Sequence, residues 1–319
     1  MQFLRNGPDE NVRCGYDAPV ITLYQFMRIV EIRTKIISVS AFLLGALYGI
    51  YRFGTVDILV LVTMGAAVLA VDMATTGFNS FFDYFHGVDH RKLNREEDKV
   101  LVHQGVPAGT ALIVSLILYL VAAVLGVILA FIATPWVIPI GAVSMLVGYL
   151  YTGGPRPISR TPLGELFAGG FLGWLLVSLT IFVLAPEEIT GRDLLVGIPS
   201  FLFVAPILTV TNTCDIEGDT RSGRRTLSIL LGRPAGELLV YLQGAAAFIV
   251  AGALAGTGVL PRQVLFGIVT AAVLSVPVYL GMHRRGYSHE TKGPSMGAIS
   301  RIFLLYTLGI LVPLAIVIV

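Results

Sequence analysis

Two stretches of this 319-residue chain place asparagine and aspartate at spacings that suit metal chemistry. The first reads Asn79-Ser-Phe-Phe-Asp83-Tyr-Phe-His-Gly-Val-Asp89, and the second Asn212-Thr-Cys-Asp215-Ile-Glu-Gly-Asp219. Asn79 and Asp83 are four apart and share a helical face, which Thr76 and Asp72 continue one and two turns back. Asp89 follows Gly87, where the helix is expected to end. Asn212, Asp215 and Asp219 stand at i, i+3 and i+7, which again predicts one face, with Glu217 pointing away. Carboxylates crowded together repel one another, by about 4 kcal/mol per pair at ~4 Å and an effective dielectric near 20. A cation must offset that. Magnesium is hard, seeks oxygen, and is commonly shared between carboxylates and substrate phosphates. Carboxylates alone would suit calcium or a transported cation. Here Arg91, Lys92, Lys99, Arg156, Arg221, Arg224 and Arg225 lie among the acids, which suggests an anion bridged by metal. The expected ligands are Asn79, Asp83, Asp89, Asn212, Asp215 and Asp219. The rival reading is a pair of ordinary solvated loops, and the matching Asn and Asp spacing in both segments argues against it.

The elements that must carry these residues are apolar. The chain is 55% hydrophobic and 13% charged, against roughly 45–50% and 25% in soluble domains. The excess is divided into runs of about 20 residues, the length that crosses a bilayer as helix. Nine such helices are predicted, at 26–51, 58–82, 110–133, 135–151, 163–184, 194–212, 236–256, 263–282 and 299–319. Small residues such as Gly244, Ala245, Ala246 and Ala247 suit close helix packing in lipid. The expected organisation is an N-terminal segment, 1–23, and one transmembrane domain, 24–319. The second and sixth helices each run into an Asn-then-Asp segment and a basic connection, a pattern resembling a duplicated helical unit.

Basic residues fall on alternate connections. Arg52, Arg192 and Arg262 lie on one side, and the remaining 19 of the 22 Lys and Arg lie on the other, with both aspartate segments. By the positive-inside rule the rich side is cytoplasmic, so the N-terminus is expected inside and the C-terminus outside. A net charge of +2 is too small to suggest nucleic acid. Cys14 and Cys214 make no disulfide framework. Residues 1–20 are polar and mixed, without the apolar centre of a signal peptide. No zinc spacing, nucleotide-binding glycine loop or hydrolase triad is present. A cation-coupled transporter would distribute its acids through the membrane depth, whereas these gather at one face.

Over nearly its whole length the chain resembles the UbiA superfamily of intramembrane prenyltransferases. That family has nine transmembrane helices, two aspartate-rich motifs and a cytoplasmic-side polar cap. Ser80 stands where the family often has an Asp after the Asn. Within the superfamily the chain is most similar to dihydroxynaphthoate polyprenyltransferases of menaquinone synthesis. The likeness is carried by Gly87-Val-Asp89, by Tyr151-Thr-Gly-Gly-Pro155 with Leu163-Gly-Glu165, and by Asp215-Ile-Glu-Gly-Asp219 followed by Gly223-Arg-Arg-Thr-Leu227 and Leu231-Gly232. Glu31-Ile-Arg-Thr-Lys35 is similar to the opening of the first helix in some bacterial members.

The resemblance implies that the six Asn and Asp ligands hold magnesium and, through it, a polyprenyl diphosphate, with Asp83 and Asp215 central to catalysis. An aromatic acceptor would attack the allylic cation left by the departing diphosphate, with loss of carbon dioxide if it is a naphthoate. Tyr149 and Tyr151 are expected to line the cation's path. Arg156, Lys99 and Arg224 are expected near diphosphate, and Arg33 and Lys35 near the acceptor carboxylate. Asp72, an acid inside a membrane helix, is expected to line the site. Hydroxybenzoate, homogentisate, a chlorophyllide or a glycerol phosphate are the other acceptors the fold admits.

Overall fold

A computed structural model describes residues 21–54, 56–85 and 100–318. These residues form helices joined by short turns, and no strand occurs among them. Among the described residues nine apolar helices make the bundle: α1 (Ile36–Phe53), α2 (Ile58–Phe85), α3 (Ala108–Ile132), α4 (Val137–Thr152), α5 (Gly164–Leu184), α6 (Ile198–Cys214), α7 (Arg233–Gly256), α8 (Val264–Arg285) and α9 (Lys292–Ile318). Eight of them, with the flanking turns of α1 and α6, are long and apolar enough to cross a membrane, while α4 has 16 residues. At 1.5 Å per residue α4 spans about 24 Å, less than the ~30 Å hydrocarbon core.

The outer surface confirms the membrane reading. Phe131 is 87% exposed and Phe266 80%, and many leucines and isoleucines on α3, α7 and α8 are exposed too. A water-facing surface does not carry so much apolar area. The interior is packed around Tyr48, Phe203 and Tyr306, with Phe203 and Tyr306 rings 4.2 Å apart. Close approach needs glycine. A Cβ on Gly173 of α5 would sit 2.6 Å from the Phe201 backbone of α6. In this same stretch, Gly169–Leu175, α5 is wound as a π-helix.

The sequence predicts one first helix over 26–51, and the structure breaks it. A short helix, Leu23–Ile29, is capped by Thr22 with Gln25. It ends before Glu31, whose φ is 48°, and a single 3-10 turn, Ile32–Lys35, leads into α1. A break exposes carbonyls that lipid cannot satisfy. Here α2 satisfies them: Thr76 Oγ1 donates to the Val30 carbonyl at 2.8 Å and Ser80 Oγ to the Ile29 carbonyl at 3.1 Å. Ser80, standing at the family's Asp position, is therefore engaged with the backbone before α1.

Candidate active site

The ends of α2, α4 and α6, the start of α5 and the connection before α9 bring the polar residues together. Asn79 and Asp83 lie in the last two turns of α2, as predicted. Asn79 Oδ1 accepts from Thr152 Oγ1 at the end of α4 (2.6 Å). Asp83 pairs with Arg224 at 3.4 Å. The same guanidinium reaches Asp219 at 3.2 Å. Arg224 thus joins the two aspartate segments, which lie far apart in the chain. All three side chains are largely buried, with 15% of Arg224, 25% of Asp83 and 10% of Asp219 exposed.

The second segment is not one continuous helical face. α6 ends at Cys214, Asp215 takes φ −101° and ψ 13°, and a new short helix, Ile216–Arg221, begins. The joint sends the three side chains to different partners. Asn212 Nδ2 donates to Glu165 Oε1 at 2.7 Å. Asp215 meets Lys292 Nζ at 2.8 Å and His289 Nδ1 at 2.9 Å, both from the start of α9 and the turn before it. Asp219 goes to Arg224, held by a turn in which the Arg224 amide donates to the Asp219 carbonyl. Burial raises the Asp219 carboxyl above its usual range, against the opposing pull of Arg224. Glu217 points away, as predicted. It is exposed and bonded to Arg233, which lowers its pKa.

Other expectations change. Lys35 was expected near an acceptor carboxylate and Asp72 in the site lining, but they bind each other. Lys35 Nζ lies 2.8 Å from Asp72 Oδ1, 3.2 Å from the Asp72 carbonyl and 3.0 Å from Thr76 Oγ1, so its three donors are occupied. Asp72 Oδ2 takes the Ser38 hydroxyl at 2.6 Å. This network pins the entry of α1 to α2. Arg33 and Arg156 are exposed. Tyr149 and Tyr151 diverge because residues two apart on a helix do not face the same way. The Tyr149 ring packs edge-on against Phe78 and Phe82 of α2. Tyr151 turns the other way, into electrostatic reach of Glu165, Arg224 and Asp83. Asp89 and Lys99 lie outside the described residues.

Four participants were missed. Lys292 and His289 reach Asp215 from more than 70 positions away, and no local spacing announces that. Thr152 is equally remote from Asn79. Glu165 is 3% exposed at the start of α5. Like Asp72, it is an acid in a membrane helix.

The donor set is all oxygen, from carboxylates and carboxamides, and fits a hard divalent cation. Protein cations, Arg224 and Lys292, already stand against these carboxylates, which marks where positive charge is needed. Among the described residues no three Asp, Glu, His or Cys side chains converge closely enough to ligate an ion alone. Phosphate oxygens would have to complete such a shell, as magnesium sites commonly require.

A 1,4-dihydroxy-2-naphthoate octaprenyltransferase of Bacillus subtilis (strain 168) is 35% identical to the chain over 207 residues. The match covers 65% of this chain and 66% of that protein, just under two thirds of its length. A UbiA homolog from Aeropyrum pernix K1 superposes with a TM-score of 0.65 at 19% identity, covering 88% of this chain and 98% of that one. A UbiA homolog from Archaeoglobus fulgidus bound to DMAPP and Mg2+ superposes with a TM-score of 0.60 at 13% identity, covering 90% and 99%. At such identities the structural likeness establishes the fold alone. The sequence pattern of the UbiA prenyltransferase family, however, matches residues 38–311, a stretch containing both aspartate segments, and the chain is a multi-pass membrane protein belonging to that family.

Proposed function

We propose that this protein transfers a polyprenyl group from its diphosphate to an aromatic acceptor, 1,4-dihydroxy-2-naphthoate, in menaquinone biosynthesis. The observation that carries this reading is the Arg224 bridge between Asp83 and Asp219, with Lys292 on Asp215 beside it. Acids and bases are held together at one end of an apolar bundle, where a diphosphate head can enter while its isoprenoid tail stays in lipid. Asn79, Asp83, Asp89, Asn212, Asp215 and Asp219 would hold magnesium. A bound magnesium ion would supply neutralisation of the charge that develops on the departing diphosphate.

The chain's own residues do the rest. Arg224 and Lys292 pass from carboxylate to phosphate oxygens when the diphosphate enters, and so orient it. Tyr151 presents an aromatic ring near the same groups, where it stabilises an allylic cation through its face. The ring of the acceptor attacks that cation, and a naphthoate acceptor then loses its carboxylate as carbon dioxide. The transfer is confined to residues 24–319, which work as one domain. The basic end of the bundle faces the cytoplasm and the C-terminus lies outside, as the distribution of Arg and Lys supports. The B. subtilis relative's name and the DMAPP and Mg2+ in the A. fulgidus homolog support the choice of substrates.

The test is purified protein in detergent with magnesium, a labelled polyprenyl diphosphate and a panel of aromatic acceptors. Prenylated naphthoquinol with carbon dioxide release is expected. A product only with hydroxybenzoate would overturn the acceptor and keep prenyl transfer. No product with any acceptor, together with substrate-driven ion flux in liposomes, would overturn the reading in favour of transport.

A further inference from the structure

Glu165 is the acid at this end of the bundle that prenyl-diphosphate binding does not explain. Its Oε1 accepts from Asn212, but its Oε2 is buried and has no hydrogen-bond partner among the described residues. Among the described residues, the cations paired at the site are committed elsewhere: Arg224 to Asp83 and Asp219, and Lys292 to Asp215. An unsatisfied buried carboxylate oxygen is destabilising unless something completes it. As a carboxylate it offers only acceptor positions, so a hydrogen-bond donor or a cation completes it, and a donor on the acceptor ring is one such group. A diphosphate at neutral pH presents mainly acceptor oxygens and is drawn to Arg224, whose buried Nε is an unpartnered donor. Tyr151 connects the two. It lies in electrostatic reach of both Glu165 and Arg224, and its hydroxyl oxygen is 3.6 Å from where a Cβ on Gly164 would stand. Among the described residues the site therefore carries an unpartnered donor suited to an anion and an unpartnered acceptor suited to a hydroxyl.

We propose that Glu165 Oε2 accepts a hydrogen bond from a ring hydroxyl of the acceptor, and so selects hydroxyaromatics and sets their orientation against the prenyl donor. This assignment rests on the prenyl-transfer reading above. It also gives the acceptor a polarity, because the carboxylate of Glu165 repels a carboxylate on the ring and turns that edge away. A purely structural role, holding Asn212, uses Oε1 and leaves Oε2 unexplained.

The test compares dihydroxynaphthoate with its monomethyl ethers, in wild type and in Glu165→Gln. Gln keeps an oxygen for Asn212 and replaces the open acceptor with an amide donor, which an ether oxygen satisfies as well as a hydroxyl does. Wild type is expected to favour the free hydroxyl over one of the ethers by about 10-fold or more in acceptor KM, the scale of a hydrogen bond to a charged group. In Glu165→Gln that preference is expected to collapse to about 2-fold, with KM for the prenyl diphosphate unchanged. If wild type uses hydroxyl and ethers equally, the assignment is overturned, whether or not the variant folds. If the variant keeps the wild-type preference, or if both KM values rise together, it is overturned as well, the second pattern being that of a structural residue. A wild type that prenylates no aromatic compound would instead overturn the prenyl-transfer reading itself, and this assignment with it.

Discussion

Each end of the bundle buries aspartate, and the two ends treat it differently. At the end away from the aspartate motifs, Asp193 is 2% exposed and fully engaged. Tyr48 donates to Oδ1 at 2.7 Å, the Thr190 amide and hydroxyl donate to Oδ2 at 2.8 and 2.7 Å, and Arg52 stands 3.4 Å away. Three of these four are short and neutral, so the group is a fixed knot between α1 and the turn before α6. At the motif end, Asp83, Asp215 and Asp219 are held by Arg224, Lys292 and His289, whose side chains are long or exposed. Glu165 there has one oxygen without any partner among the described residues. A structural acid is saturated by groups that cannot leave. A working acid is neutralised by groups that can be handed to a ligand.

That comparison can be broken by mutation, and the largest effect should fall on turnover at the motif end. Asp83→Ala and Asp215→Ala are each expected to lower turnover by about 10³-fold or more, because charge stabilisation of the leaving group is a large part of such catalysis. The thermal unfolding midpoint should stay near wild type. Near-normal activity in either variant would remove these carboxylates from the site. Next comes the buried pair of Lys35 and Asp72. Lys35→Met leaves Asp72 buried without its cation and should cost about 3–5 kcal/mol of stability. Adding Asp72→Leu should recover much of it, and a double variant no better than the single would show that the pair is not coupled.

At the opposite end Tyr48→Phe removes a hydrogen bond to a charged group, worth about 1.5–3 kcal/mol. Unfolding should shift by that amount while turnover per folded molecule stays within about 2-fold of wild type. A turnover loss as large as that of Asp83→Ala would erase the distinction between the two ends. The smallest effect belongs to Glu217→Gln. Its partner Arg233 is reached at 2.6 Å but both side chains are exposed, and surface pairs contribute under about 1 kcal/mol. Neither stability nor activity should change measurably, which checks that adjacency to Asp215 and Asp219 in sequence is not enough.

The helices were legible because apolar runs in lipid leave little else to form. All nine predicted runs are helices, and most ends agree to within a few residues. What the runs concealed were the breaks. Glu31 lies inside an otherwise helical pattern, and its left-handed turn depends on Thr76 and Ser80, which come from another helix. Asp215 sits at i+3 from Asn212, yet the joint after Cys214 splits their partners. Spacing along one chain segment identified the acids. It had no means of identifying Lys292, His289 or Thr152, whose roles arise only when distant helix ends meet. Considered alone, Lys35 points to an acceptor carboxylate and Asp72 to the site lining; their mutual contact is long-range.

On the proposed reading Asp83, Asp215 and Asp219, with Arg224 between them, hold a diphosphate through magnesium. Calorimetric titration of a non-transferable thio-analogue of a prenyl diphosphate into the protein in nanodiscs tests it most directly, with magnesium and with a chelator, in wild type and in Asp83→Ala. Wild type with magnesium is expected to bind tightly, and binding is expected to weaken by at least about 10-fold when either the metal or the Asp83 carboxylate is removed. Equal affinity in all four measurements would contradict it.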